Sequence, residues 1–245
     1  MIKKLMERLL ETGNHESIAA ERWAKEHVTP IKDWLHKVDP EMWDETCVIA
    51  AEIRKRSSAK IEELMALGVD LGGGGSVELL YFWTRKIKPF FILETGVAAG
   101  WSSYSFLLAI EKNQVGELLS SDLPYFRIKD PEKYIGILVP SELRNPRWHL
   151  EIQGDDLNLP ILLSSVPVLQ IVHYDSDKRK SGRKRFLSKV ERFLAEDSLV
   201  IMDDIQNNFA FKEYVENGNK TFVIIESEGK YVGIALLGAL AKFRS

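Results

Sequence analysis

Acidic side chains follow nearly every apolar, strand-like segment in the second half of the chain. These acids are Glu94, Asp122, Asp155 with Asp156, Asp175 with Asp177, and Asp203 with Asp204. Parallel strands end at the same edge of a sheet, which is where open α/β sheets bind ligands. A single acid at such a position is typical of a solvated residue or a helix cap. The repetition along the chain predicts a rim of carboxylates able to bind hydroxyl groups and cations.

A glycine turn lies between the first of these acids and a helix-like segment. In the stretch LETGVAAGWSS, Gly96 and Gly100 come directly after Glu94. Glycine allows a sharp turn and a close approach to a ligand, and the N-terminus of the next helix offers free N–H groups. Ser102 and Ser103 either contact the ligand there or act as plain helix caps. Strand, glycine turn and helix in this order predict a nucleotide-binding site.

The charges around this turn indicate which nucleotide it holds. The turn reads GVAAG and lacks the G-x-G-x-x-G pattern of dinucleotide sites, and Glu94 beside it would repel a pyrophosphate. Asp122, at the end of the next strand, is placed to hold ribose hydroxyls. A cationic ligand with a ribose fits better, and S-adenosylmethionine has a sulfonium, an ammonium and a ribose. A nicotinamide-dependent oxidoreductase and a non-catalytic cofactor-binding module are the alternatives.

From residue 90 onward, strand-like and helix-like segments alternate. Apolar runs predict strands at Phe90–Glu94, Glu117–Ser121, Trp148–Gln153, Val168–Tyr174, Leu199–Asp203, Thr221–Glu226 and Val232–Leu237. Helices are predicted at Ser102–Lys112, Glu132–Leu143, Leu157–Ser164, Lys180–Ala195 and Ile205–Glu216. The alternation predicts an α/β fold with a doubly wound, seven-stranded, mostly parallel sheet of the Rossmann-like kind. The short link before the final strand predicts a hairpin, so we expect the last strand to be antiparallel and to lie at the sheet edge.

The first part of the chain is helical in pattern and more polar. Leucines there recur at helical spacing, at Leu5, Leu9 and Leu10. We expect an N-terminal helical cap over residues 1–71, followed by a cofactor-binding domain over residues 72–245. The four glycines Gly72–Gly75 between them are either a flexible linker or a segment that approaches the ligand. Ser76 is expected to cap the next helix.

Composition excludes several classes of function. The chain has 245 residues, of which 45% are hydrophobic and 28% charged, with a net charge of −3. This balance gives no electrostatic reason to expect nucleic acid or a membrane as a partner. No apolar run reaches the ~18 residues that span a bilayer, and the N-terminus lacks the apolar core of a signal peptide. The single cysteine, Cys47, cannot form an internal disulfide, which is typical of the cytoplasm.

Basic residues concentrate in the run Lys178–Arg192. A charged outer helix face is the ordinary explanation, and an acidic acceptor is the alternative. Nucleic acid is disfavoured because no stacking aromatic residues interleave with the run. A second segment, the loop from residue 121 to residue 134, is rich in Tyr, Phe, Pro and Lys, and forms either a lid over an acceptor or a plain surface loop.

Taken together, the motifs LETGVAAGWSS, SSDLP, QGDD, VHYDSDK and LVIMDDI resemble the class I S-adenosylmethionine-dependent methyltransferases over residues 72–240. The resemblance implies methyl transfer from S-adenosylmethionine and a seven-stranded sheet whose last strand is antiparallel. It implies that Glu94, Gly96 and Gly100 hold the methionine end of the cofactor and that Asp122 holds the ribose. Asp155 or its neighbour Asp156 would lie near the adenine, with Ser102 and Ser103 near the cofactor carboxylate.

A finer similarity is to the metal-dependent catechol and caffeoyl-coenzyme A O-methyltransferases. It implies a small-molecule acceptor, most often an oxygen, and a position for Asp175 facing the reactive methyl group. It also implies Mg²⁺ or Ca²⁺ at Asp175, Asp203 and Asp204, since hard cations prefer oxygen ligands. Asp204 departs from this pattern, because the family has Asn there.

The same resemblance leaves two routes for activating the acceptor. A metal would bind the acceptor oxygen and lower its pKa. Without a metal a general base is needed, and His173 and His149 are the candidates, although His173 lies within an apolar strand and is expected to be a core residue. Lys178 would orient the acceptor or stabilise its anion. The N-terminal cap also offers a surface for pairing, so a homodimer is an additional expectation.

Overall fold

A seven-stranded sheet forms the centre of the structure, a computed structural model that describes residues 15–125, 128–144 and 146–244. Its strands are β1 (Phe91–Thr95), β2 (Glu117–Ser121), β3 (Trp148–Glu151), β4 (Leu169–Tyr174), β5 (Leu194–Met202), β6 (Thr221–Ser227) and β7 (Lys230–Leu236). Most central strand residues are buried on both faces, which is why their sequences read as continuous apolar runs. All seven predicted strands are confirmed: β2 has the predicted ends, and the ends of the other six are shifted.

The strand order is β3-β2-β1-β4-β5-β7-β6. β1 to β5 pair in parallel, and β7 is antiparallel to both of its neighbours. The last strand is therefore antiparallel, as predicted, but its expected position at the edge is wrong. β7 inserts between β5 and β6 because six of its seven residues are buried, whereas β6 has partly exposed ends and takes the edge.

Helices cover both faces of the sheet. They are α1 (residues 15–26), α2 (Ile31–Val38), α3 (Pro40–Ala66), α4 (Val77–Ile87), α5 (Trp101–Asn113), α6 (Asp155–Leu162), α7 (Lys180–Val190) and α8 (Ala210–Asn217). Neighbouring residues of one strand serve opposite cores: Ile92 packs with α2 to α5, and Leu93 packs with α1, α6, α7 and α8. This is the doubly wound arrangement that the alternation predicts. In the described ranges, no helix is long and apolar enough to cross a membrane.

The described part of the N-terminal region is helical and packs closely on the sheet. Trp34 of α2 is buried, its indole donates a 2.7 Å hydrogen bond to the carbonyl of Phe243, and its ring lies 5.5 Å from that of Trp83. α3 starts with Asp39 as its N-cap, which accepts from the N–H of Met42, followed by Pro40. Leu5, Leu9 and Leu10 lie outside the described residues, and the division between residues 71 and 72 stays a prediction.

The predicted helix Glu132–Leu143 is wrong. The segment instead forms two short 3₁₀ turns, Pro131–Tyr134 and Ser141–Leu143. Between them, Gly136 has φ +67° and donates a 2.8 Å hydrogen bond to the carbonyl of Ala98. The backbone of this segment is thus bound to the glycine turn after β1, and Gly136 and Pro140 within the segment also disfavour a continuous helix.

The other predicted helices form with altered ends. The predicted Lys180–Ala195 stops at Val190, because Leu194 and Ala195 join β5 after a 3₁₀ turn. The predicted Ile205–Glu216 is interrupted at Asn208, whose extended backbone separates a 3₁₀ turn from α8. Ser76 occupies the N-cap position of α4, but its hydroxyl makes no capping hydrogen bond.

Candidate active site

A cavity of about 620 Å³ opens at the carboxyl ends of the central strands. Acids predicted from four of the five strand ends line it, namely Asp122, Asp155, Asp156, Asp175, Asp177 and Asp204. Gly72 and Gly73 also line it, so the glycine run approaches the cavity instead of lying apart as a linker. Glu94 and Asp203 are buried next to this region but are not among the lining residues.

The glycine turn after β1 requires glycine for steric reasons. Gly96 has φ +82°, and a Cβ there would lie 2.3 Å from the backbone oxygen of Asp175. Its N–H donates a 2.9 Å hydrogen bond to the carbonyl of Ser121. Gly100 has φ +98° and lies against Gly136, whose Cα would be 2.8 Å from an added Cβ. Gly96 therefore lets the backbone just after β1 approach the backbone just after β4 at the cavity, whereas Gly100 packs against the loop behind the turn.

Glu94 is fully buried beneath the turn. Its Oε2 accepts hydrogen bonds from the hydroxyls of Ser103, at 2.6 Å, and Ser120, at 2.8 Å. Its Oε1 has no hydrogen-bond partner among the described residues. Neither Ser102 nor Ser103 makes a capping hydrogen bond at the start of α5, whose N-cap residue is Gly100. In this geometry Glu94 forms a buried link between β1, β2 and α5, and its expected contact with the ligand stays a prediction.

Asp122 ends β2 and faces the cavity. Oδ2 accepts a 2.7 Å hydrogen bond from the N–H of Ala98, and Oδ1 accepts one of the same length from the N–H of Leu123. Burial raises the pKa of Asp122 to about 6, against the lowering effect of these two hydrogen bonds, and the nearby charges of Glu94 and Asp155 raise it further. Each carboxylate oxygen keeps a second lone pair for a ligand.

Asp155 and Asp156, between which the sequence could not decide, have different surroundings. Asp155 lines the cavity and accepts hydrogen bonds from the hydroxyls of Ser121, at 2.7 Å, and Ser176, at 2.5 Å. The side chain of Asp156 is 67% exposed and forms an ion pair with Lys189 at 2.6 Å. Asp155 is therefore fixed in the cavity wall, and Asp156 lies at its rim.

Lys178 connects two of the acids at the other end of the cavity. Its ammonium contacts Oδ1 of Asp175 and lies 2.8 Å from Oδ2 of Asp204. Burial lowers the pKa of Lys178, although hydrogen bonding to Asp204 opposes this effect. Burial would raise the pKa of Asp204, but the hydrogen bond and charge of Lys178 hold it below its usual range. Asp204 adopts a left-handed backbone with φ 54°.

Asp203, the third residue expected at a metal, faces a buried histidine. Its Oδ1 lies 3.5 Å from Nε2 of His173, and both side chains are buried. His173 lies in β4 and packs edge-on against Phe106 of α5, and it does not line the cavity. His149 is exposed on β3 and pairs with Glu117 at 2.9 Å, also outside the cavity. In the part of the chain that the structure describes, no three His, Cys, Asp or Glu side chains are grouped to hold a metal ion.

Sequence reasoning missed the polar residue that joins the ends of β2 and β3. Asn158 is fully buried, and its amide donates to Ser121 Oγ at 2.9 Å and to the carbonyls of Asp122, at 3.1 Å, and Glu151, at 2.8 Å. It sits in the apolar run LNLPIL, where an asparagine has no obvious purpose. An amide within a buried helix face is the signal that would have indicated a structural link.

The basic run around α7 is mainly paired on the surface. Lys184 binds Glu213, and Lys189 binds Asp156. Two residues of the run differ. Lys178 lines the cavity, and Arg183 is fully buried, where its Nη2 donates 2.8 Å hydrogen bonds to the carbonyls of Asp203 and Asp204. In the loop after β2, Leu123 and Tyr125 line the cavity, whereas residues 126 and 127 lie outside the described residues.

Neither a comparison with protein-family models nor one with curated proteins finds a match. Solved structures do match the fold. The O-methyltransferase TomG from Streptomyces achromogenes, in complex with SAM, is 16% identical, with a TM-score of 0.57 over 76% of this chain and 89% of that chain. An O-methyltransferase from Bacillus cereus, in complex with SAH, is 11% identical, with a TM-score of 0.54 over 84% and 96% of the two chains.

A third match is a methyltransferase from Geobacter sulfurreducens, which is 14% identical, with a TM-score of 0.56 over 75% of this chain and 90% of that chain. The matches cover most of both chains. At these identities the likeness shows a shared fold.

Proposed function

We propose that this protein transfers a methyl group from S-adenosylmethionine to a small-molecule acceptor, at an oxygen atom. The observation that carries the proposal is one cavity holding the Gly96 turn, Asp122 and Asp155, in a fold shared with methyltransferases solved with SAM or SAH. These are the positions expected for the methionine end, the ribose and the adenine. The volume of about 620 Å³ falls in the range of small-molecule sites.

In this proposal Asp122 and Asp155 bind the nucleoside part of the cofactor. The free lone pairs of Asp122 accept hydrogen bonds from the ribose hydroxyls, since the two backbone N–H groups of Ala98 and Leu123 hold its carboxylate in place. Asp155, fixed by Ser121 and Ser176, lies near the adenine. Asp156 stays at the rim and is assigned no contact with the cofactor.

Glu94 has a different proposed part from the one the sequence suggested. Its hydrogen bonds to Ser103 and Ser120 hold α5 and β2 against the turn. We assign it to positioning the turn, with Gly96 placing backbone atoms beside the methionine end. Ser102 and Ser103 are buried at the same helix start, so their contribution is also to the shape of the turn.

Asp175 and Lys178 are the proposed groups at the acceptor. Methyl transfer forms a carbon–oxygen bond as the carbon–sulfur bond breaks, so the acceptor oxygen must lie in line with the methyl group. The ammonium of Lys178, which is partly buried at the cavity, would stabilise the acceptor's oxyanion. Asp175, which binds Lys178, would orient this ammonium.

The expected Mg²⁺ or Ca²⁺ at Asp175, Asp203 and Asp204 does not fit these residues. Two of the carboxylates hold the ammonium of Lys178, and the third faces His173. We therefore route no step of the reaction through a metal ion. The expectations of a cytoplasmic location and of a homodimer stay predictions.

The test is isothermal titration calorimetry of the purified protein with S-adenosylmethionine, S-adenosylhomocysteine and NAD. We expect saturable binding of both sulfur-containing nucleosides and none of NAD. Binding of NAD alone would instead support the oxidoreductase alternative. A screen of hydroxylated acceptors with labelled S-adenosylmethionine then separates an enzyme from a binding module. Cofactor binding without turnover of any acceptor would contradict the catalytic proposal, and turnover that Lys178→Met leaves unchanged would contradict the role of Lys178.

A further inference from the structure

We propose that the ammonium group of Lys178 is the resident cation between Asp175 and Asp204 and takes the place that a divalent metal would fill. The cation at this site is then a side chain of the protein and not a bound metal ion. The inference rests on the proposed function for the chemistry that the ammonium serves, but the binding of ions can be measured whether or not the protein transfers methyl groups.

The first line of argument is the placement of the lysine. Its ammonium contacts Oδ1 of Asp175 and lies 2.8 Å from Oδ2 of Asp204, so it bridges carboxylates from the ends of two neighbouring strands. The backbone of Lys178 is held as well, because the amide of Asn208 donates a 2.8 Å hydrogen bond to its carbonyl. Asn208 is itself buried. The ammonium is therefore directed between the two acids by a fixed backbone.

The second line of argument is the charge on Asp204. Both of its carboxylate oxygens face ammonium groups, since Lys230 lies 3.7 Å from Oδ1 while Lys178 lies at Oδ2. A divalent cation entering between Asp175 and Asp204 would meet the like charge of Lys178 at close range. It would have to displace this ammonium or share the carboxylates with it. The ammonium groups of Lys178 and Lys230 thus balance the charges of Asp175 and Asp204.

The third line of argument is the remaining oxygen ligands. Oδ1 of Asp203 is directed toward His173, at 3.5 Å. The carbonyls of Asp203 and Asp204 accept hydrogen bonds from the buried Arg183. Ca²⁺ takes six to eight oxygen ligands, whereas Mg²⁺ keeps several waters and uses one or two carboxylates. Here Oδ1 of Asp203 faces His173, Oδ2 of Asp204 faces Lys178, and the two backbone carbonyls are held by Arg183.

The two kinds of cation differ in what they offer an acceptor. An ammonium donates hydrogen bonds and carries a single charge, and its charge is lost at high pH. It therefore suits an acceptor that presents one oxygen. A metal can bind two neighbouring oxygens of one acceptor at once, and this bidentate mode is not available to a single ammonium. We infer that a vicinal diol or catechol has no special advantage as an acceptor here.

The experiment measures Mn²⁺ binding by electron paramagnetic resonance and by calorimetry, with S-adenosylhomocysteine present. Three proteins are compared: the wild type, Lys178→Met, and Lys184→Met as a control with an exposed lysine that binds Glu213 outside the cavity. We expect no saturable binding by the wild type or by Lys184→Met at millimolar Mn²⁺. Lys178→Met frees two facing carboxylates, so it should bind Mn²⁺ on the order of tenfold more tightly than the wild type or better.

Two results would overturn the proposal. One is saturable Mn²⁺ binding by the wild type that is lost in Asp175→Asn. The other is a Lys178→Met protein that retains the wild-type circular dichroism spectrum and gains no affinity for Mn²⁺. The failure of the proposed function is distinguishable, because it appears as absent binding of S-adenosylhomocysteine in the same calorimeter, whatever the result with Mn²⁺.

A measurement on the wild type alone covers the case in which Lys178→Met does not fold. A ligand that binds only the folded state raises the melting temperature. We expect the melting temperature of the wild type to be the same with Mn²⁺, with Mg²⁺ and with EDTA. A rise with either metal that EDTA reverses, and that Asp204→Asn abolishes, would show a metal site at these acids and would contradict the assignment of Lys178.

Discussion

The carboxylate of Asp122 accepts a 2.7 Å hydrogen bond from the backbone N–H of Ala98. This bond joins the end of β2 to the glycine turn after β1, so one side chain both shapes the turn and faces the cavity. A ligand that depends on Asp122 therefore also depends on the conformation of the turn. The charge state of Asp122 should be visible in any measurement of cofactor binding.

We predict that the affinity for S-adenosylmethionine falls as the pH is lowered through about 6, the pKa to which burial raises Asp122. The protonated carboxyl cannot accept hydrogen bonds from both ribose hydroxyls as the carboxylate can. Asp122→Asn should weaken binding by about tenfold to a hundredfold, since hydrogen bonds to a charged group contribute about 1.5–3 kcal/mol, and should remove the pH dependence. Calorimetry between pH 5 and 8 measures both effects, and an equally steep profile in the variant would exclude Asp122 as its origin.

The same raised pKa has a consequence for stability with a definite sign. The folded state holds the proton of Asp122 more tightly than the unfolded chain does, so the stabilising effect of protonation is present below about pH 4 and is lost as the pH rises through about 6. Asp122→Asn, which is neutral and can still accept from Ala98, should therefore not lower the melting temperature at pH 8. A clear loss of stability there would mean that the carboxylate charge itself supports the turn.

Asp155 and Asp156 form a matched pair for testing the adenine end. Asp155→Asn should weaken S-adenosylmethionine binding by on the order of tenfold. An amide has a single acceptor oxygen, so it cannot accept from both Ser121 and Ser176 as the carboxylate does, and this side of the cavity is held less firmly. Asp156→Asn removes surface ion pairs with Lys189 and Arg185 and should change the dissociation constant less than about twofold. Equal effects of the two substitutions would remove the distinction that the geometry draws.

A glycine pair tests the close contact between β1 and β4. Gly96 and Gly68 share a positive φ, but a Cβ on Gly96 would lie 2.3 Å from the backbone oxygen of Asp175, whereas one on Gly68 meets nothing within 4 Å. Gly68→Ala should cost about 1–2 kcal/mol from backbone strain alone. Gly96→Ala should cost more than about 3 kcal/mol, since the clash is with backbone that cannot turn aside. Chemical denaturation measures the difference, and similar losses would show that the contact can relax.

Lys178 should determine the alkaline limb of the activity profile. Its ammonium is the proposed partner of the acceptor oxyanion, and burial lowers its pKa. Turnover should therefore decline as the pH rises, with a midpoint below the usual lysine value of about 10.4. Lys178→Arg should move this decline beyond the measurable range. Lys178→Met should lower kcat by about a hundredfold or more while leaving the dissociation constant of S-adenosylmethionine within about twofold.

Two different results would contradict the role proposed for Lys178. An alkaline limb that stays in place in Lys178→Arg would assign it to another group. A Lys178→Met variant that loses cofactor affinity but keeps kcat would place the lysine at the cofactor instead of the acceptor.

The strands were predictable because strands buried on both faces of a parallel sheet are mostly apolar and appear in the sequence as apolar runs. β1 begins with the apolar run Phe91–Leu93 and β4 contains Ile171 and Val172, although Glu94, Gln170 and His173 lie within the same strands. The helix expected at Glu132–Leu143 shows where this approach fails. Gly136 and Pro140 within it disfavour a helix, and the backbone around Gly136 bonds to Ala98, which lies far away in the chain. Local pattern carries no information about such a partner.

The site was predictable to the extent that topology alone assembles it. Acids at strand ends must share a rim, and Asp122, Asp155 and Asp175 do line one cavity. The direction in which each side chain points was not predictable. Glu94 turns down to Ser103 and Ser120, and Asp203 turns to His173, because each finds a buried polar partner on a neighbouring element. Those partners are themselves placed by tertiary packing.

The left-handed backbone of Asp204, with φ 54°, limits which residues can stand at this position. Aspartate and asparagine are among the few non-glycine residues that adopt this conformation readily. An exchange between them changes the formal charge by one unit while the path of the chain stays the same. A single Asp–Asn exchange at the end of β5 thus changes the local charge without altering the backbone conformation there. Such an exchange would alter which acceptors the cavity favours while the fold is retained.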